Sequence, residues 1–247
     1  MDNYLKAIEL IRASNSIVAF SGAGISVESG IPTFRGDGGL WSRYDPKILD
    51  LDFFFQNPKA SWKAIREIFY NYMGERAKPN SAHKFLAKLE EVGKLKGIIT
   101  QNIDNLHQEA GSKRVIEFHG TAQKLLCTKC RKKFDFREYD LNNLPPLCRE
   151  CKGLLKPDFI FFKEQIPPFA YQESLKLLQN ADLVLIIGTT GEVMPASMLP
   201  YEAKGAKFIE INIEPSSYTD TLTDIFLQDR ATIASKRLAK GLGIVLN

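Results

Sequence analysis

No run of about 18 apolar residues, the least a membrane-spanning helix needs, occurs anywhere in this chain of 247 residues. The opening segment MDNYLKAIELIRAS is interrupted by Asp2, Lys6, Glu9 and Arg12, so it does not read as a secretory signal. The expectation is therefore no membrane association, a cytoplasmic protein and reduced cysteines. Internal repeats and low-complexity tracts are also lacking, which argues against a solenoid or a disordered tail. Histidine is scarce, at three residues, and so is cysteine, at four. Charge of one sign is not in great excess: the net charge of +4 permits an acidic or phosphate-bearing ligand without demanding nucleic acid. The remainder is ordinary for a globular protein, with 44% hydrophobic and 25% charged residues.

What is present is a set of short, β-branched apolar runs: Ile17–Phe20, Gly97–Thr100, Val115–Phe118, Leu183–Ile187 and Phe208–Ile213. Strands covered on both faces read this way. Helical periodicity lies between some of them. Tyr4, Ile8 and Ile11 mark one helix, and Asn80 is placed to cap another carrying Ala82, Phe85, Leu86 and Leu89. Residues 170–181 and 232–240 also suit helices. The alternation predicts an open α/β sheet. Two segments break it. Residues 37–79 hold a helical stripe of Trp62, Ile65, Phe69 and Tyr72, and residues 121–156 are basic and contain every cysteine.

The cysteines form two pairs, Cys127-x-x-Cys130 and Cys148-x-x-Cys151, with residues 131–147 between them. Each knuckle presents two thiolates on one side of a tight turn, and two knuckles complete the tetrahedron that Zn²⁺ prefers. Four sulfur ligands leave no position for water, so one structural zinc per chain is expected. Two disulfides or four unrelated thiols are the alternative. A nucleic-acid-binding ribbon is another, given Lys129, Arg131, Lys132 and Lys133, but no interleaved aromatics are there to stack bases.

Ligands of open α/β sheets bind beyond the carboxyl ends of the strands. All five predicted strands end in small or polar groups: Ser21-Gly22-Ala23-Gly24-Ile25, Gln101-Asn102-Ile103-Asp104, His119-Gly120, Gly188-Thr189-Thr190, and Asn212-Ile213-Glu214. Together they predict a nucleotide cleft. Gly22 and Gly24 suit close approach of backbone N–H groups to phosphate. Thr189 and Thr190 offer hydroxyls, and Asn102, Asp104, Asn212 and Glu214 suit ribose. The dinucleotide fingerprint G-x-G-x-x-G is not met, however, because Val27 stands at its third glycine. Of the histidines, His83 early in its helix reads as a surface residue, and His107 is placed to support the Gln101–Asp104 loop. His119, at a strand end, fits a general base and a structural role equally well by position.

The ordered set Gly22-Ala23-Gly24-Ile25-Ser26, Ser29-Gly30-Ile31-Pro32-Thr33-Phe34-Arg35-Gly36, Gln101-Asn102-Ile103-Asp104, His119-Gly120, the four cysteines, Lys156-Pro157 with Phe161-Phe162, Gly188-Thr189-Thr190 and Pro195-Ala196 resembles the sirtuin family. The resemblance runs from about residue 17 to 214. It implies a Rossmann-like open parallel sheet with helices on both faces, plus a small lobe made of a zinc ribbon and a helical insertion. On that basis residues 1–36, 80–120 and 157–247 form the NAD-binding domain. Residues 37–79 and 121–156 are the insertions that form the small one.

The resemblance also implies an activity, the NAD-dependent removal of acyl groups, acetyl above all, from protein lysines, with release of nicotinamide and O-acyl-ADP-ribose. Asn102 and Asp104 would line the nicotinamide and ribose pocket, His119 would be the base, and Phe34 would shield the reactive sugar while Arg35 helps hold the loop and phosphates. Ala231 is matched to a residue contacting adenine. The acylated peptide would lie as an added strand between Phe162–Glu164 and Glu192–Pro195, with Phe162, Glu164 and Val193 against it. One branch of the family carries Tyr-x-x-Arg for acidic acyl groups. Here Tyr70 is followed by Met73, which cannot pair with a carboxylate, so deacetylation is expected over desuccinylation. Gly191 stands where the family has leucine and is expected to loosen the substrate strand. Lys163 stands at the family's glycine and is expected to favour acidic substrates. A mono-ADP-ribosyltransferase and a non-catalytic NAD- or ADP-ribose-binding module are the alternatives.

Overall fold

The computed structural model describes residues 2–36, 38–72 and 77–246. In chain order its elements are α1 (Asn3–Ala13), β1 (Ile17–Ser21), α2 (Leu51–Gln56), α3 (Pro58–Ile65), α4 (Ser81–Glu91), β2 (Leu95–Thr100), α5 (Leu106–Glu109) and β3 (Val115–Glu117). There follow β4 (Gly120–Cys127), β5 (Lys133–Asp135), β6 (Leu155–Phe159), α6 (Pro168–Gln179), β7 (Leu183–Ile187), β8 (Lys207–Asn212), β9 (Ile225–Gln228) and α7 (Ala231–Leu242).

Six strands make one parallel sheet in the order β3-β2-β1-β7-β8-β9. Successive residues of β1 point to opposite faces, so an all-apolar strand fills two cores. Ile17 and Ala19 face a core shared with Ile8 and Ile11 of α1, Phe85 and Leu89 of α4 and Leu238 of α7. Val18 and Phe20 face another, shared with Leu177 and Leu178 of α6 and with Tyr218. The sequence-predicted strands are all present. β9 is additional, and it extends the sheet by one edge.

A smaller antiparallel sheet, β5-β4-β6, packs on the helical segment. Trp62 of α3 is fully buried and donates its indole N–H to the Leu155 carbonyl at 2.8 Å. Arg66 donates to the Leu141 carbonyl at 3.1 Å. These bonds tie the two insertions into one lobe with a common core that includes Cys127 and Cys148. The small sheet starts at Gly120 and ends at Phe159, so it extends past the expected limits of 121 and 156. After α3 the chain widens into a π-helical turn, Arg66–Tyr72. Met73 lies outside the described residues.

Candidate functional site

The strand order reverses between β1 and β7, so the crevice between their ends is where such a sheet binds its ligand. Here the loops after the two strands abut. The Gly24 N–H donates to the Gly188 carbonyl at 2.8 Å, and the Gly22 N–H donates to the Ile187 carbonyl at 3.0 Å. A Cβ on Gly24 would lie 2.6 Å from the Gly188 Cα, and one on Gly188, where φ is +63°, 2.4 Å from the Ile25 nitrogen. The glycines are thus required by backbone meeting backbone, and the Gly22 and Gly24 amides are already engaged. Any backbone N–H groups offered to a phosphate here are therefore other than those two. The chain then turns into a 3₁₀ helix, Ala23–Ser29, which explains why Val27 needs no glycine.

The Gln101–Asp104 loop is held by a buried polar network. Ser26 donates to the Asp104 carboxylate at 2.7 Å, and the Asn102 side-chain amide donates to Ser26 Oγ at 3.2 Å. Ser21 donates to Thr100 Oγ1 at 2.9 Å, which in turn accepts from the Asn102 N–H at 3.1 Å. His107 Nε2 lies 2.9 Å from Ser21 Oγ, so this histidine does support the loop. His83 is not on the surface. It is fully buried, 3.4 Å from Ser26 Oγ through Nε2 and edge-on to His107 with ring centres 4.9 Å apart. Its helix packs α4's first turn against the glycine loop, where Asn80 also donates to the Ile25 carbonyl at 2.8 Å. Burial lowers the pKa of His83 to about 4 and drives that of His107 well below the ordinary value. Burial raises that of Asp104, against the bond from Ser26.

His119 follows β3, and its Nδ1 lies 3.1 Å from the Gln101 carbonyl. A carbonyl only accepts, so Nδ1 carries the proton and Nε2 is left as the basic nitrogen. Burial lowers the His119 pKa, the bond to Gln101 opposing it, which keeps the ring neutral at neutral pH. Its own carbonyl accepts from the Ile160 N–H at 2.8 Å, joining this strand end to the far side of the crevice.

One cavity of about 1060 Å³ unites these groups. That is slightly above the roughly 300–1,000 Å³ common for ligand sites. Its lining includes Gly22, Ala23, Gly24, Phe34, Arg35, Gln101, Asn102, Ile103, His119, Gly188, Thr189, Thr190, Asn212, Glu214 and Ala231. Phe162, Glu164 and Val193 line it as well. Ile25 and Asp104 do not. Ile25 is fully buried in the core, and Asp104 acts from behind, through Ser26 and Asn102. Asp229 and Arg230 also line the cavity, at the end of β9. Sequence reasoning missed them because it missed that strand.

The other half of the cavity is aromatic. Phe34 packs on Trp41 and Phe69, with centroids 5.5 and 6.3 Å away, and Phe159, Phe161 and Phe162 continue the wall. Tyr70 is not part of it. The ring stacks on Trp62 and its hydroxyl donates to the Ala122 carbonyl at 3.0 Å, inside the small lobe. The π-helical turn presents Phe69 to the cavity instead. Phe162 pairs through its backbone with Leu49 and Leu51 at 2.8 and 3.3 Å. Lys163 holds Asp50 at 2.9 Å and Asp52 at 3.2 Å, so its charge is already engaged by two carboxylates. Gly191 is not loose. Its carbonyl accepts from Ser217 Oγ at 2.9 Å, and at φ +72° a Cβ would sit 2.1 Å from that oxygen.

Away from the cleft, the four cysteine sulfurs lie within 4.8 Å of one another. Cys127 and Cys151 are 3.4 Å apart, and Cys130 and Cys148 are 3.8 Å apart. Zn–S bonds of about 2.3 Å place tetrahedral sulfurs roughly 3.8 Å apart, so the cluster fits zinc. It contains no open coordination position.

A parallel sheet of this order with a polar crevice at its switch point, and a four-thiolate ribbon beside it, defines a Rossmann-like nucleotide-binding protein with a structural metal lobe. The model of the Sir2 family matches residues 22–195, and the chain belongs to that family. It is 44% identical to an NAD-dependent protein deacylase of Aeropyrum pernix over 99% of both chains. Among solved structures, it resembles a Sir2 protein bound to a propionylated peptide, with TM-score 0.89 and 34% identity over 99% of this chain and 100% of that one. A Sir2–p53 peptide–NAD⁺ complex gives TM-score 0.86 and 35% identity over 97% and 98%.

Proposed function

We infer that the chain removes acyl groups from protein lysines in an NAD-dependent reaction. The observation that carries this reading is His119, a neutral imidazole with one fixed tautomer. It sits where the polar crevice and the aromatic slot become one cavity. NAD⁺ supplies the ADP-ribosyl acceptor for the acyl group. The residues proposed to hold it are those of the β1 and β7 loops, Gln101–Ile103, Asn212, Glu214 and Ala231, with Arg35 over the phosphates. Asn102, fixed at both its backbone and its side chain, orients the nicotinamide end. Phe34, backed by Trp41 and Phe69, excludes water from the reacting sugar. His119 Nε2 takes a proton from the ribose hydroxyls.

The acylated lysine is proposed to enter along the aromatic wall, its peptide paired as a strand with Phe162–Glu164 and Val193. That wall suits acetyl and other uncharged acyl groups. Among the described residues, the one lysine of that wall, Lys163, is held by Asp50 and Asp52 and so is not free to pair with a succinyl carboxylate. We further propose the division into an NAD-binding domain (1–36, 80–120, 157–247) and a small domain (37–79, 121–156), with the small sheet reaching across the boundary to Gly120 and Phe159, and a cytoplasmic location. No helix is long and apolar enough to cross a membrane among the described residues.

The test is incubation with NAD⁺ and an acetyl-lysine peptide. Nicotinamide release that requires the peptide is expected, and His119→Ala abolishes turnover while NAD⁺ still binds. Labelled protein without deacylation would point to ADP-ribosyl transfer, and binding without turnover to a binding module. Full activity in His119→Ala would remove its assigned role.

A further inference from the structure

Lys156 is buried, at 3% exposure, yet does not line the cavity. Its ammonium donates to the Pro157 carbonyl at 2.9 Å and the Phe159 carbonyl at 2.6 Å, and pairs with the Glu164 carboxylate at 3.0 Å. These use all three of its N–H donors. The same ammonium lies 4.2 Å from the centre of the Phe161 ring. Glu164 in turn accepts from the Phe161 N–H at 2.9 Å. The chain from 156 to 164 is therefore wound around one cation. Burial pulls the lysine's pKa below its usual value, while the charge of Glu164 opposes that.

The residues the ammonium holds are the ones that build the slot. Phe159, Phe161, Phe162 and Glu164 all line the cavity. The outer side of this segment is clamped by Phe162's backbone bonds to Leu49 and Leu51, and Lys156 holds the inner side. We propose that Lys156 is a positioning residue for the acyl-lysine peptide, setting the path of Ile160–Glu164 so that the main chain at Lys163, for which no backbone hydrogen bond occurs among the described residues, is presented to the substrate. This rests on the deacylase reading above. Removing the cation leaves the Glu164 carboxylate without its charge partner and two carbonyls unsatisfied, and the segment relaxes away from its register. The loops assigned to NAD⁺ arise from β1, β2, β7, β8 and β9 and do not depend on this contact.

The experiment compares Lys156→Met with the wild-type chain, zinc-loaded, using NAD⁺ and an acetyl-lysine peptide. The peptide KM is expected to rise about tenfold or more, the scale of a lost charge-assisted hydrogen bond, with the NAD⁺ KM within about twofold of wild type. A purely structural role would lower the active fraction, and so kcat, without separating the two KM values. In Lys156→Met/Glu164→Gln the unpaired charge is gone, and the peptide KM returns part of the way. If Lys156→Met does not fold, Lys156→Arg, which keeps the charge but not the compact ammonium that the two carbonyls hold, tests the same contact, with a smaller but still peptide-selective rise. Equal peptide KM values in variant and wild type, or a parallel rise in both KM values, overturn the proposal. A wild-type chain with no peptide-dependent nicotinamide release overturns the functional reading itself.

Discussion

Protonating His83 inside the folded protein means charging an imidazole that has no carboxylate partner. The ring is fully buried, faces His107 edge-on and, among the described residues, has only Ser26 Oγ and the Asn80 N–H within reach of its nitrogens. Its pKa of about 4 lies below the 6.5 of an unfolded histidine. The unfolded state therefore binds the proton first as pH falls, and stability is lost from about pH 6.5 downward. The full effect, reached below the folded pKa, is about 3 kcal/mol at roughly 1.4 kcal/mol per pKa unit. About 2 kcal/mol of it is expressed between pH 7 and pH 5. His107, also driven down by burial, adds loss of the same sign. Asp104, whose pKa is raised, works in the opposite direction. Urea unfolding followed by far-UV circular dichroism at pH 7, 6 and 5 measures this. Wild type is expected to lose about 2 kcal/mol more over that interval than His83→Gln, which cannot titrate. Identical losses in the two proteins would refute the assignment of a buried, neutral His83.

The thiolate cluster predicts one zinc per chain by metal analysis, and chelation should unfold the small lobe and abolish activity, because Cys127 and Cys148 belong to its core. A metal-free chain with unchanged circular dichroism would contradict this. Lys163 occupies a left-handed backbone position, φ +71°. Lys163→Gly relieves that conformation while losing two exposed ion pairs, whereas Lys163→Ala loses the pairs and keeps the strain. The urea midpoints should therefore order glycine above alanine, and the reverse order would show that the backbone there is unstrained.

The sheet was legible because its strands are continuous apolar runs, and a strand buried on both faces leaves that mark wherever it occurs. β9 was not, since Ile225–Gln228 is four residues long with an exposed Gln228, an edge strand without that mark. With it went Asp229 and Arg230, the sixth strand end on the cavity. The zinc ligands were legible because spacing alone sets their geometry. His83 was not, because its burial is decided by where α4 docks, not by its place in the helix. Tyr70 was misassigned for a related reason: the π-helical turn changes which face of residues 66–72 meets the cavity. Gly22 and Gly24 were rightly singled out, but the constraint on them comes from Gly188, some 160 residues away.

The small lobe is built from two excursions of the chain: its helical segment lies between the glycine loop and α4, and its sheet between His119 and Ile160. In mechanical terms the small lobe is not a flap on a single strap. His119 and Ile160, bonded to each other where the chain enters and leaves the small sheet, tie that sheet to the end of β3 at a second point besides the covalent chain. A substitution that moves either residue therefore reaches the polar crevice and the aromatic slot together, because one hydrogen bond joins the two walls.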